Sequence, residues 1–193
     1  MKSLEINGKI REVTGKKDSK NLRSHEMVPC VLYGGDETIH FYVPFSEFRH
    51  LVYTPDVFVV NLNIEGKTYP SILQEMQWHA VEEQLIHADF LQIRENKPVK
   101  VELPVYIEGT AKGIKVGGKL KVNLRKLKVK GLVKDLPDVI SVDVSELDLG
   151  QSVKVGDLNL EGVQFLAVKS NVIATVSITR AAKAAQSGKE AKK

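Results

Sequence analysis

Apolar and polar residues alternate along almost the whole chain, and that period of two commits it to strands. Only an extended backbone sends successive side chains to opposite faces. Leu4, Ile6 and Ile10 predict a first strand with its apolar side inward. Residues 28–33 form a short apolar run, and Ile39, Phe41 and Val43 then alternate with Thr38, His40 and Tyr42. Val57–Ile64 and Thr68–Gln77 read as a hairpin about Glu65-Gly66, with a last strand at Leu85–Ile93. Pro44 interrupts the alternation, and Phe45, Phe48, Leu51 and Val52 follow at helical spacing. This is the one clear helix of the first half. The pattern predicts a mainly β protein whose residues 1–95 form a small β-barrel with one or two short helices.

Asn96-Lys97-Pro98 marks a domain boundary, after which a second strand series begins at Val99, Val101, Leu103, Val105 and Ile107. Residues 96–179 are expected to form an all-β, sandwich-like domain. Leu120, Val122 and Leu124 share a face, but the phase slips by one before Leu127 and Val129, which a β-bulge would explain. Ser145–Gly150 reads as one capped helical turn closed by glycine. Residues 180–193 are rich in alanine and lysine without apolar periodicity, and are expected to be a basic, disordered tail.

No apolar run approaches the length of a membrane span, and the first residues, Met1–Glu5, lack the apolar segment of a secretion signal. Cys30 is the only cysteine, which excludes a disulfide within the chain and fits a reducing cytoplasm. Between Pro29 and Val31 it reads as a small buried hydrophobe. The formal net charge of +4 is unevenly spread: residues 1–96 carry 10 Lys and Arg against 14 Asp and Glu, residues 97–193 carry 18 against 10. Nine of the 18 lie between Lys112 and Lys134 with no acid among them. That run reads equally as the solvated face of amphipathic strands or as a contact for nucleic acid or a partner protein.

Two stretches could carry chemistry. Residues 15–34 open with a glycine-led basic loop holding Lys16, Lys17, Lys20 and Arg23, and run into a rigid strand ending at Tyr33 and Gly34-Gly35. Such a loop can hold cations against phosphates, with Gly15 allowing close approach. The second stretch is the last hairpin. Alternation puts Gln77 and His79 on one strand, and His87 and Asp89 on the next, all on one outer face. An amide, two imidazoles and a carboxylate can read base edges and 2′-hydroxyls. The competing readings are a solvated hairpin and a metal-dependent enzyme built on His79, His87 and Asp89. His25, His40 and His50 are isolated. No nucleophile–base ordering and no phosphate loop with its strand–loop–helix setting appears. Nothing calls for a cofactor.

Gly15-Lys16, Ser19–Arg23, Val28-Pro29 and Val31–Gly34, followed by Gln77, His79, His87 and Asp89-Phe90, resemble the bacterial large-subunit ribosomal protein twenty-five family. Val99–Gly109, Gly117-Gly118, Leu124-Arg125, Leu136-Pro137, Val142–Val144, Leu149-Gly150 and Asp157-Leu158 extend the resemblance to its long, two-domain form, the general stress protein Ctc type. The resemblance implies a non-catalytic ribosomal protein, a cytoplasmic monomer off the ribosome, whose residues 1–95 bind 5S rRNA at the minor groove around loop E. It implies RNA contacts from Lys16, Ser19, Lys20, Arg23, Tyr33, Gln77, His79, His87 and Asp89. The second domain would then face 23S rRNA or neighbouring ribosomal proteins, or act as a stress-linked protein-binding module. The family usually has arginine at position 20 and often at 21, where this chain has Lys20 and Asn21.

Overall fold

The computed structural model describes residues 1–179. Two units divide it: Met1–Val101 with Leu132–Asp138, and Glu102–Gly131 with Val139 onward. The tail expected to be disordered, 180–193, lies outside the described residues. No helix among the described residues is long and apolar enough to cross a membrane.

The first unit holds β1 (Lys2–Ile10), β2 (Met27–Tyr33), β3 (Ile39–Pro44), β4 (Phe58–Ile64), β5 (Lys67–Trp78) and β6 (Leu85–Gln92). They close into a barrel in the order β1-β3-β2-β6-β5-β4, sealed by the parallel pairing of β1 with β4. Closure leaves no strand edge to aggregate. Glu65 and Gly66 both take positive φ, 48° and 80°, the two left-handed residues of the turn that joins β4 to β5.

Inward positions fill the barrel with Ile6, Cys30, Leu32, Phe41, Val43, Leu62 and Phe90, all 1% exposed or less. The helical segment predicted after Pro44 is a 3-10 turn, Phe45–Phe48, followed by the short helix α2 (Arg49–Val52). Both chain segments face the core through Phe48 and Leu51. Phe90 lies with its ring centre 5.8 Å from Phe41 and 6.3 Å from Phe48, in tilted pairs. The inward place on β1 between Ile6 and Ile10 is taken by Gly8: a Cβ there would lie 2.7 Å from the Phe41 ring. Ile10, predicted to face inward, is 40% exposed at the strand's end.

The segment read as a basic loop is a helix, α1 (Lys16–Ser24). It has no buried residue, so no apolar stripe announces it. Polar ties hold it instead. Arg11, just beyond β1, places Nη2 2.6 Å from Asp18 Oδ2 and 3.2 Å from Ser19 Oγ, and Ser19 Oγ donates to Gly15 O at 2.9 Å. The helix lies on the outer side of β2, where Pro29 is buried.

The second unit has two sheets, one ordered β10-β7-β9-β12 and the other β11-β13-β8. The first comprises β7 (Val99–Glu108), β9 (Lys126–Gly131), β10 (Ile140–Asp143) and β12 (Val163–Phe165). The second comprises β8 (Lys119–Val122), β11 (Ser152–Lys154) and β13 (Val172–Ser177). The phase slip at Arg125-Lys126 is therefore no bulge: the chain leaves one sheet at Val122 and enters the other at Lys126. Residues 145–150 form hydrogen-bonded turns rather than a helical turn, begun by Ser145 N donating to Asp143 Oδ1 at 2.8 Å. Among its described residues the unit also holds a short helix, α3 (Lys112–Lys115), and a 3-10 turn, Val155–Asp157.

Candidate nucleic-acid interface

Helix α1 turns the basic stretch from a flexible loop into a fixed rod. Lys16, Lys17 and Lys20 are exposed and Arg23 is half-buried, its Nε donating to Ile86 O of β6 at 3.1 Å. That bond fixes the guanidinium beside the last hairpin while leaving its terminal amines uncommitted among the described residues. The helix start carries no side-chain cap, so its first-turn amides stay open to an anion. Gly15 has extended backbone, φ 161°, and a Cβ there would meet nothing within 4 Å. Neither conformation nor packing requires glycine at this place.

On the hairpin, β5 and β6 pair Gln77 with His87 and Glu75 with Asp89, with register shifts on both sides of that stretch. Gln77, His87 and Asp89 thus come together on the outer face as alternation predicts, with Glu75 added. His79 lies beyond β5 in the connecting turn, where its Nδ1 accepts from Glu82 N at 3.2 Å. His87 Nδ1 stands 2.6 Å from Asp89 Oδ1, off the line of a good hydrogen bond, and that buried oxygen has no other partner among the described residues.

Tyr33 ends β2 beside Leu91 of β6, on the outer side. Partial burial raises its phenol above the usual tyrosine range, and the nearby Asp89 and Glu75 carboxylates raise it further. Cys30, on the inner side of β2, is raised mainly by burial; it is a core residue and no nucleophile.

A cleft of about 440 Å³ joins the two stretches. Lys16, Ser19 and Arg23 line it from α1, with Gly15 and Thr14 at the helix entrance. His87 lines it from the hairpin, with Arg11 and His40. Lys20, Tyr33, Gln77, His79 and Asp89 are not among its lining residues. Ser19 Oγ is engaged with Arg11 and Gly15, which ties the helix to the end of β1. His40, read from the sequence as isolated, is exposed on β3 and faces this space. Arg11, Thr14, His40 and Glu75 were not legible as site residues. Arg11 carried the only usable signal, a cation placed just where the first strand ends.

The metal-dependent alternative is not favoured. His79 Nδ1 is engaged by Glu82 N in the connecting turn, and no group of three His, Cys, Asp or Glu side chains suited to a metal ion occurs among the described residues.

Fold and site together define a class: a two-unit, mainly β protein whose first unit opens a cation-lined cleft suited to an anionic ligand. Against known families, residues 6–90 match the Ribosomal L25p family and residues 98–180 match the C-terminal domain of ribosomal protein TL5. The chain is 50% identical over 184 residues to the large ribosomal subunit protein bL25 of Azobacteroides pseudotrichonymphae, covering 95% of this chain and 97% of that one. It is 48% identical over 192 residues to that of Phocaeicola vulgatus, covering 96% and 97%. With the counterpart from Cytophaga hutchinsonii it shares 48% over 183 residues, 95% of each. The chain belongs to the Ribosomal L25p family, in its two-domain form.

Proposed function

We propose that this chain is a structural component of the large ribosomal subunit in the bacterial cytoplasm, and that its first unit binds 5S rRNA. The supporting observation is the shared cleft: the cations of α1 and His87 of the hairpin border one space. Lys16, Lys20 and Arg23 take phosphates, helped by the open amides of the helix start. The outer hairpin face, with Gln77, His87, Asp89, Glu75 and Tyr33, meets the minor groove. Carboxylates accept from guanine N2 amino groups and 2′-hydroxyls, and the amide and imidazole can donate or accept.

Because the site mixes cations with carboxylates, it disfavours plain duplex RNA, whose phosphates repel Asp89 and Glu75, and favours an irregular groove such as loop E. The RNA-binding domain is assigned to residues 1–95 and a separate role to residues 96–179, with 23S rRNA or neighbouring ribosomal proteins as its partners. A gel shift of the full chain on 5S rRNA in moderate salt tests this: Asp89→Ala and Arg23→Ala each weaken the complex. Unchanged binding by both variants overturns the reading.

A further inference from the structure

The nine cations between Lys112 and Lys134 do not form one patch. Lys112 pairs with Glu146 at 2.6 Å, Lys128 with Glu102 at 3.2 Å and Lys134 with Glu95 at 4.0 Å. Lys126, Lys128 and Lys130 lie on β9, whose neighbour β7 carries exposed Glu102 and Glu108. Lys119 and Lys121 lie on β8, in the other sheet. That sheet has no acidic residue on any of its three strands.

Its register fixes which residues share the outer face. Val176 pairs with Leu120 and Ala174 with Val122; Ala174 and Val176 are fully buried. The opposite face then presents Lys121 beside Thr175 beside Ser152, and Lys119 beside Ser177. Lys119 and Lys121 are exposed; the Lys119 carbonyl accepts from Ser177 Oγ at 2.9 Å, but neither ammonium group has a hydrogen bond or ion pair among the described residues. Two residues apart on a strand, their stems stand roughly 7 Å apart on one side.

We infer that this outer face of the β11-β13-β8 sheet is a second RNA-contact surface, in which Lys119 and Lys121, with the hydroxyls of Thr175 and Ser152, grip a phosphate backbone without reading sequence. Lysines and hydroxyls on a rigid sheet are the common means of phosphate contact. The absence of carboxylates removes the repulsion that the β9 lysines share space with. A protein partner fits less well, because these outward positions offer no exposed aromatic or large aliphatic side chain to anchor an interface.

The test is a fluorescence titration of the full chain with a mixed-sequence RNA duplex lacking internal loops, across a series of salt concentrations. Such a probe contains no 5S sequence, so this inference and the 5S reading can fail separately. Lys119→Gln/Lys121→Gln is compared with Lys126→Gln/Lys130→Gln, which removes the same charge from the other sheet. All four are partly or fully exposed, so both proteins fold, and melting curves check this. The first variant is expected to bind several-fold more weakly with a salt slope shallower by about 2, the second to change little. Lys119→Arg/Lys121→Arg restores binding. Equal losses in both variants, or none in the first, overturn the inference. So does poly-glutamate of matched charge displacing the RNA from this face as readily as RNA itself, since that assigns the face to an acidic protein.

Discussion

Arg11 Nη2 lies 2.6 Å from Asp18 Oδ2, and the Arg11 side chain is only 7% exposed. A single ion pair thus ties the end of the first barrel strand to the helix that carries the site's cations. Asp18→Ala leaves a guanidinium largely buried without its carboxylate and removes two charge-assisted bonds. The expected loss is about 1–3 kcal/mol in urea unfolding. It comes with weaker 5S rRNA binding, although Asp18 itself repels phosphate. A tighter complex in Asp18→Ala would show that the pair does not position α1.

Gly8 tests how tightly the barrel interior is filled. A methyl group there meets the ring of Phe41, which is fully buried and packed on Phe90 and cannot swing away. Gly8→Ala is expected to cost about 1–3 kcal/mol in chemical denaturation. Phe90→Ala, which empties the centre of the same cluster, costs about 3–5 kcal/mol.

Tyr33 reports on the hairpin carboxylates. Burial first, then Asp89 and Glu75, raise its phenol, so the folded protein holds that proton more tightly than the unfolded chain. Stability from this source is fully present below the ordinary tyrosine pKa and is lost as pH rises through the raised folded value. In a spectroscopic titration, the phenolate signal removed by Tyr33→Phe appears above the usual tyrosine range. Asp89→Asn moves it part of the way down and leaves the shares due to burial and to Glu75.

Asp143 works in the opposite direction. Hydrogen bonds from the Ser145 side chain and backbone lower its pKa, so its contribution is present above the ordinary carboxylate range and is lost as pH falls through the lowered value. Asp143→Asn is expected to lower the melting temperature slightly at neutral pH. The gap to the unaltered protein closes in strong acid.

The strands were legible because their alternation is set by burial on one side, and the barrel follows once six of them must hide that side. Helix α1 was not, because period analysis finds helices by their apolar stripe, and Lys16–Ser24 buries nothing. What holds it are bonds from Arg11 and Ser19, which span sequence gaps that no pattern displays. The change of sheet between Val122 and Lys126 imitated a bulge, since both shift the phase by one residue and only pairing partners separate them. At the site, Gln77, His87 and Asp89 followed from alternation. Arg11 and His40 did not, because they reach the cleft through barrel closure, which brings β1 and β3 beside the helix.

The central claim is that the cations of α1 and the polar face of the hairpin, linked by one cleft that His87 borders, together select 5S rRNA. The most direct measurement is a competition gel shift with the full chain, setting labelled 5S rRNA against unlabelled duplex RNA of equal length in moderate salt. A preference of at least about 100-fold for 5S rRNA, reduced towards the non-specific level by Asp89→Ala, is the predicted result. Equal competition by the unrelated duplex would contradict it.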